Sequence, residues 1–232
     1  MNKYLAIILS SRDIGEFDRM YFLYAREAGL VRVMGKGVRK PQAKLAGHLE
    51  PGTHSEIYIA RSRGIGQITS AITVDNFEGI KKDFEKISAA LDVFKFMARK
   101  FAEEEKDESI FDLLSSFLKV LNSAENIKII EEAFWWKLFD LMGNRPEMKK
   151  CLRCEDILKE NERKFFSTAR GGVICEKCFG REDNILEINS NQIKFLRIIL
   201  GNPLEKIVKV KIGEGETVGL SRLRNDFEKY NY

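Results

Sequence analysis

Met20-Tyr21-Phe22-Leu23-Tyr24-Ala25-Arg26-Glu27-Ala28-Gly29-Leu30-Val31-Arg32-Val33-Met34 is the stretch that decides the fold class. Its two halves, Met20–Tyr24 and Leu30–Met34, alternate with the period of two that a half-buried strand requires, and Ala28-Gly29 is a turn signal between them. Outward from it the same pattern recurs in Glu56-Ile57-Tyr58-Ile59 and in Ile68 to Val74, with Asp13-Ile14-Gly15, Pro51-Gly52 and Gly64-Ile65-Gly66 as punctuation. With the apolar run Leu5–Leu9 this makes about five strands before any helix-length pattern, the size and strand number of an oligonucleotide-binding (OB) barrel. Alternation places Met20, Phe22 and Tyr24 in the core. It leaves Tyr21 and Tyr58 as the exposed rings, the kind on which a base can stack.

Beyond the barrel the period changes. Ile80, Phe84, Ile87, Leu91, Phe94 and Phe101 recur at three- and four-residue steps, as do Ile110, Leu114, Phe117 and Leu121, and again Ile127, Ile130, Phe134, Leu138 and Leu141. The spacing predicts three antiparallel helices in a bundle, with Glu103-Glu104-Glu105 between the first two. Trp135 and Trp136 are adjacent on the third, so the helical period lets one of them face the bundle core. Gly143-Asn144-Arg145-Pro146 ends the bundle. Near the C-terminus, Asn189 to Gln192 forms a capping box that opens a helix through Ile193, Leu196 and Leu200. Ile207 to Ile212 is strand-like or a loop, and Thr217 to Tyr230 is a last amphipathic helix.

Between the helical segments lie the only cysteines: Cys151-x-x-Cys154, twenty residues, then Cys175-x-x-Cys178. Each pair is a knuckle that aims two thiolates at one point, and two knuckles complete a tetrahedral zinc site. Four sulfur ligands leave no position for water, which points to folding rather than to hydrolysis or deamination. Two disulfides, a redox pair and an iron–sulfur site are the competing readings. No secretion signal or membrane-length apolar run is present, so disulfides are disfavoured and a cytoplasmic location is expected.

The 232-residue chain carries a net charge of +4, distributed unevenly. Residues 1–75 hold eleven Lys and Arg against seven Asp and Glu, while residues 76–147 hold eleven against fifteen. Five of the cations, Arg32, Lys36, Arg39, Lys40 and Lys44, fall between Glu27 and Glu50 with no acid among them, on a loop whose Gly35 and Gly37 let a phosphate approach the backbone. Arg61 and Arg63 form a second cationic turn. These seven are the candidate nucleic-acid contacts. The loop is not a P-loop, because no Lys-Ser or Lys-Thr follows at the required spacing. His48 and His54 have no neighbour that makes either a general base, and no set of nucleophile, base and orienter can be assembled.

The combination of Gly35-Lys36-Gly37-Val38-Arg39-Lys40-Pro41, Leu49-Glu50-Pro51-Gly52, Leu141-Met142-Gly143-Asn144-Arg145-Pro146, the two Cys-x-x-Cys knuckles and the intervening Phe165 to Gly172 resembles the bacterial recombination-repair mediator family RecO. The resemblance runs from Tyr4 to the final helix. It implies an α+β multidomain protein: an OB-fold over 1–77, a helical domain over 78–147 and 183–232, and a zinc ribbon over 148–182 inserted in it. It further implies a non-catalytic protein that binds single- and double-stranded DNA and anneals complementary strands. The partners implied are RecR, with which the family helps load RecA, and the acidic C-terminal tail of single-stranded-DNA-binding protein. For that tail, Lys128, Lys137, Arg222 and Arg224 are the candidate rim cations. A sequence-specific zinc-ribbon regulator is the alternative, although no helix rich in Arg, Asn and Gln suits base-edge reading.

Overall fold

The barrel is wound on one long strand. β1 (Asn2–Ile14) pairs with β2 (Asp18–Ala25) along one edge and with β4 (His54–Ala60) along the other, both antiparallel, and its register shifts between Ile8 and Ser10. β2 continues into β3 (Gly29–Gly35), β4 pairs with β5 (Gly66–Asp75), and β3 meets β5 in parallel at Val33 and Gly66. The order β1-β2-β3-β5-β4 therefore closes, giving the expected five-stranded OB-type barrel. The structure is a computed structural model that describes residues 1–61, 64–180 and 184–232.

Ala6, Ile8, Tyr21, Leu23, Ala25, Val31, Val33, Ile57, Ile59, Ile68 and Ala71 fill the barrel. Because side chains alternate along a strand, Leu23 inside forces Tyr21 inside. Tyr21 is only 1% exposed, so it is core and not the open stacking ring expected. Tyr24 points the other way and is buried by a second layer: the ring of Phe101 meets it edge-on at 5.6 Å.

That second layer is helical. α1 (Glu78–Lys81), α2 (Phe84–Lys100) and α3 (Glu108–Ser123) group with the barrel in one compact unit, Met1–Ser123. Asp83 caps α2, its carboxylate accepting from the amides of Glu85 and Lys86. The buried side of α2 runs through Ala89, Ala90, Val93, Phe94 and Met97, which leaves Phe84 84% exposed and Leu91 36% exposed. Of the expected apolar stripe, Phe94 is buried, alongside Met97, whereas Phe84 and Leu91 face away from the core.

The second unit is Ala124–Tyr232. α4 (Ile127–Leu141) packs among α5 (Ser190–Gly201), α6 (Leu204–Ile207) and α7 (Glu214–Asn231). The expected three-helix bundle is therefore not one body: two of its helices belong to the barrel unit and the third to this one. Contact with three other helices covers more than one face of α4. Trp135 and Trp136 are accordingly both buried, at 2% and 0% exposure, where only one was expected to face the bundle core. Trp136 packs against Phe139, Phe166 and Phe227. The predicted capping box is present at Asn189 and Gln192. Residues 208–213 form no strand. The ribbon has β6 (Lys164–Ser167) and β7 (Gly172–Cys175) as a hairpin, with β8 (Ile185–Glu187) on the other side of β6, so its sheet extends past residue 182. Among the described residues, no helix is long and apolar enough to cross a membrane.

Candidate metal centre and nucleic-acid interface

Two tight turns bring the cysteines together. The first knuckle is closed by the amide of Glu155 donating to the Cys151 carbonyl at 3.0 Å and by the Cys151 amide donating to Asp156 O at 2.9 Å. Glu155 sits at φ 60, the left-handed conformation that lets the chain reverse there. The second knuckle starts at the end of β7, where Cys175 is fixed by the hairpin, and continues through the 3₁₀ turn Glu176–Cys178. All four are unpaired thiols.

Their sulfur atoms all lie within 4.8 Å of one another, and Cys154 Sγ is 3.8 Å from Cys175 Sγ. Four sulfurs held ~2.3 Å from one tetrahedral centre are ~3.8 Å apart, so the spacing fits a single ion. The electrostatics agree. Burial pushes the Cys151 thiol up, but amide donors, including those of Cys175 and Arg153 at 3.4 Å, outweigh it and bring it down to about 6. Cys154 receives the amide of Asp156, yet burial and its three neighbouring thiols raise it to about 12, and burial raises Cys178 as well. The Cys151 thiolate forms readily and disfavours ionisation of Cys154 and Cys178, as in a thiolate cage that needs a cation to ionise fully. These four cysteines form one metal-binding arrangement.

On the barrel, the seven candidate DNA cations divide by what holds them. Lys36, Lys40 and Lys44 are exposed and, among the described residues, face no carboxylate at ion-pair distance. Arg39 is tied back: its guanidinium lies 3.4 Å from Asp13 and 3.3 Å from Gly15 O, and its amide donates to Phe17 O at 3.0 Å. Lys40 lies 5.5 Å over the ring of Phe17. The Asp18 carboxylate accepts from the Gly37 amide at 2.7 Å, so the loop's backbone is docked while its lysines point outward. Asp13 is itself held below the usual carboxylate range, first by its hydrogen bond from Arg19. Arg32 is paired with Glu103 at 3.3 Å, and Arg61 is paired with Glu104. Arg63 lies outside the described residues.

The rim cations divide in the same way. Lys128 and Arg222 are exposed, and Lys137 is half-buried, which lowers its pKa. Arg224 is committed elsewhere. Its Nε donates to Glu132 at 3.1 Å, its Nη2 lies 3.6 Å from Glu131, and its guanidinium sits 5.3 Å over the Trp135 ring. Sequence reasoning missed Glu132, which is 1% exposed and is held by Ser221 and Arg224. The signal for it was its helical spacing from Ile129 and Trp136, which places it on the same face as those apolar residues.

The histidines are spent structurally. His48 Nδ1 meets Thr73 Oγ1 at 2.7 Å. His54 is buried edge-on against Phe111, which with the charge of Lys119 pushes its pKa down.

Two family models match the chain: "Recombination protein O N terminal" over residues 1–77 and "Recombination protein O C terminal" over residues 81–232. A relative from Roseiflexus sp. (strain RS-1), named DNA repair protein RecO, is 32% identical over 229 residues, covering 97% of this chain and 80% of the relative. One of the same name from Dehalococcoides mccartyi (strain ATCC BAA-2266 / KCTC 15142 / 195) is 32% identical over 89% of this chain and 81% of its own length. Another, from Listeria monocytogenes serotype 4b (strain CLIP80459), is 24% identical over 91% and 82%. A closed five-stranded barrel, helices and a four-cysteine ribbon in this order, matched by both models from end to end, make this chain a member of the RecO family of DNA-repair proteins.

Proposed function

We propose that this protein is a non-catalytic recombination mediator that binds single- and double-stranded DNA through its barrel and anneals complementary strands. With RecR, it helps RecA load onto DNA coated with single-stranded-DNA-binding protein. The observation that carries the reading is the docked loop with outward lysines, Lys36, Lys40 and Lys44, which no carboxylate neutralises among the described residues. Such cations exchange solvent counterions for phosphates without reading sequence. A non-catalytic role is supported by His48 and His54 each being held in place by a packing or hydrogen-bonding neighbour. The metal is proposed to be one structural zinc ion on Cys151, Cys154, Cys175 and Cys178, which suits an all-thiolate tetrahedral set. Lys128, Lys137 and Arg222 are proposed as cations for the acidic tail of the coating protein. Work on DNA of this kind belongs in the cytoplasm.

The test is annealing of complementary strands precoated with single-stranded-DNA-binding protein, with and without that protein's acidic tail. Acceleration that needs the tail is expected, and annealing no faster than without the protein would refute the reading. In direct binding, Lys36→Ala/Arg39→Ala/Lys40→Ala should flatten the slope of log affinity against log salt by up to ~2, at ~0.7 per phosphate contact on a single strand.

A further inference from the structure

The link between α2 and α3 carries Glu103-Glu104-Glu105, and it lies along the barrel. Glu103 bridges Leu30 in parallel, and the Glu104 amide donates to Leu30 O at 2.8 Å. Gly29 stands at φ 70, and a Cβ there would collide with the backbone carbonyl of Glu105, so the close approach requires glycine. Both ends of the link are anchored: Phe101 packs on Tyr24, and Arg26 reaches Glu108 and Asp112, each at 3.4 Å, at the start of α3. From this docked backbone two successive carboxylates leave for two arginines of the barrel, Glu103 to Arg32 on β3 at 3.3 Å and Glu104 to Arg61 just beyond β4. Glu104 adopts φ 65, a conformation that costs a non-glycine residue free energy, at the position whose side chain makes the second pair.

Anions on consecutive residues of a docked backbone, each meeting an arginine, reproduce what a phosphodiester strand offers a cationic groove. We propose that Glu103 and Glu104 form a built-in phosphate mimic that occupies Arg32 and Arg61 in the free protein and yields them to the phosphates of a single-stranded nucleic acid. The proposal rests on the DNA-binding reading of the barrel. All four side chains are between 36% and 54% exposed, so the pairs are weak and salt-sensitive, and their exchange needs side-chain rotation only. Because the backbone of the link stays docked, the carboxylates remain at hand to re-pair when the strand leaves. The device would raise the threshold for binding: a strand must bring enough phosphates to displace two carboxylates, while isolated anions do not.

The test is fluorescence anisotropy with a labelled oligothymidylate and the full chain, across a salt series. Glu103→Gln/Glu104→Gln should bind roughly threefold to tenfold more tightly, the range set by losing two exposed ion pairs. Its salt slope should steepen by up to ~1.4, equivalent to two more phosphates. The gain should vanish in the background Arg32→Ala/Arg61→Ala. An unchanged affinity and slope would overturn the clamp, and so would a gain that persists without the arginines, because that is bulk charge. Glu103→Asp/Glu104→Asp keeps the charge but shortens the reach, and should show a smaller gain. It serves in place of the glutamine pair should that pair melt early. Binding by the unmodified chain that is weakened in Lys36→Ala/Arg39→Ala/Lys40→Ala but untouched in both glutamate variants overturns the clamp alone. No binding by the unmodified chain overturns the parent reading and the clamp together.

Discussion

Replacing Arg224 with alanine should destabilise the second unit severely, for reasons visible at Glu132. That carboxylate is 1% exposed; one oxygen accepts from Ser221 at 2.7 Å and from Arg224 at 3.1 Å, and the other has no partner among the described residues. Burial pushes the Glu132 pKa up, Arg224 and Ser221 pull it down, and the balance is upward. Removing the guanidinium leaves a buried carboxylate with one hydroxyl, a loss of ~3–5 kcal/mol for a broken buried pair. In a protein of this length that corresponds to a melting point lower by about 6–20 °C. The sign of the pH dependence follows. A carboxyl whose folded pKa lies above its ordinary 4.5 contributes stability that is present below that value and lost as pH rises through the folded pKa. The deficit of Arg224→Ala should therefore shrink as pH falls toward the ordinary carboxyl value and Glu132 is protonated. Glu132→Gln added to Arg224→Ala should recover most of the loss, since a neutral amide needs no counter-ion. Thermal melts by circular dichroism of both single variants and the double would measure this. Arg224→Ala melting within about 2 °C of the unmodified chain, or no recovery in the double variant, would refute the reasoning. A loss of acidic-tail binding in Arg224→Ala would then have to be judged against its folding before being credited to a rim contact.

Two further outcomes are expected. Cys175→Ser should lose bound metal and unfold the ribbon before it affects DNA binding, and chelation should reproduce the effect; metal content by atomic absorption together with melting checks it, and a variant that keeps a full metal complement and the original melt would refute the four-ligand site. His54, buried and held neutral below its ordinary 6.5, binds protons more readily when unfolded, so stability is full above that pH and falls below it by at most ~1.4 kcal/mol per pH unit. His54→Leu should flatten the acid limb of a melting-versus-pH series, and an unchanged limb would exclude His54 as its cause.

The barrel was legible because alternation and turn residues act locally. The face of each residue follows from a single correctly placed neighbour, and the error at Tyr21 came from taking Phe22 as inward where Leu23 is. The helices were legible as elements but less so in orientation. On α2 the stripe was right at Phe94 but wrong at Phe84 and Leu91, and the small Ala89 and Ala90, with Val93, mark the side that packs closely. Three- and four-residue steps fit more than one stripe, and size alone does not choose between them. The grouping of helices was not legible at all, because periodicity does not state which body a helix joins. For the metal site, spacing was sufficient, since two knuckles impose their own geometry. For the cationic patch it was not: Arg32 and Arg61 lie about seventy and forty residues from the carboxylates that hold them, and only the docking of the acidic link reveals the pairing.

The adjacent tryptophans have a practical use. They are the only two in the sequence, and both lie on α4, sealed within the second unit. Excitation at the red edge of protein absorption therefore sees that unit alone, and the barrel is optically silent there. Tryptophan emission followed during denaturation reports the ribbon-bearing half, while tyrosine and backbone signals report both. Disagreement between the two traces would show directly whether the halves lose their structure together or one at a time.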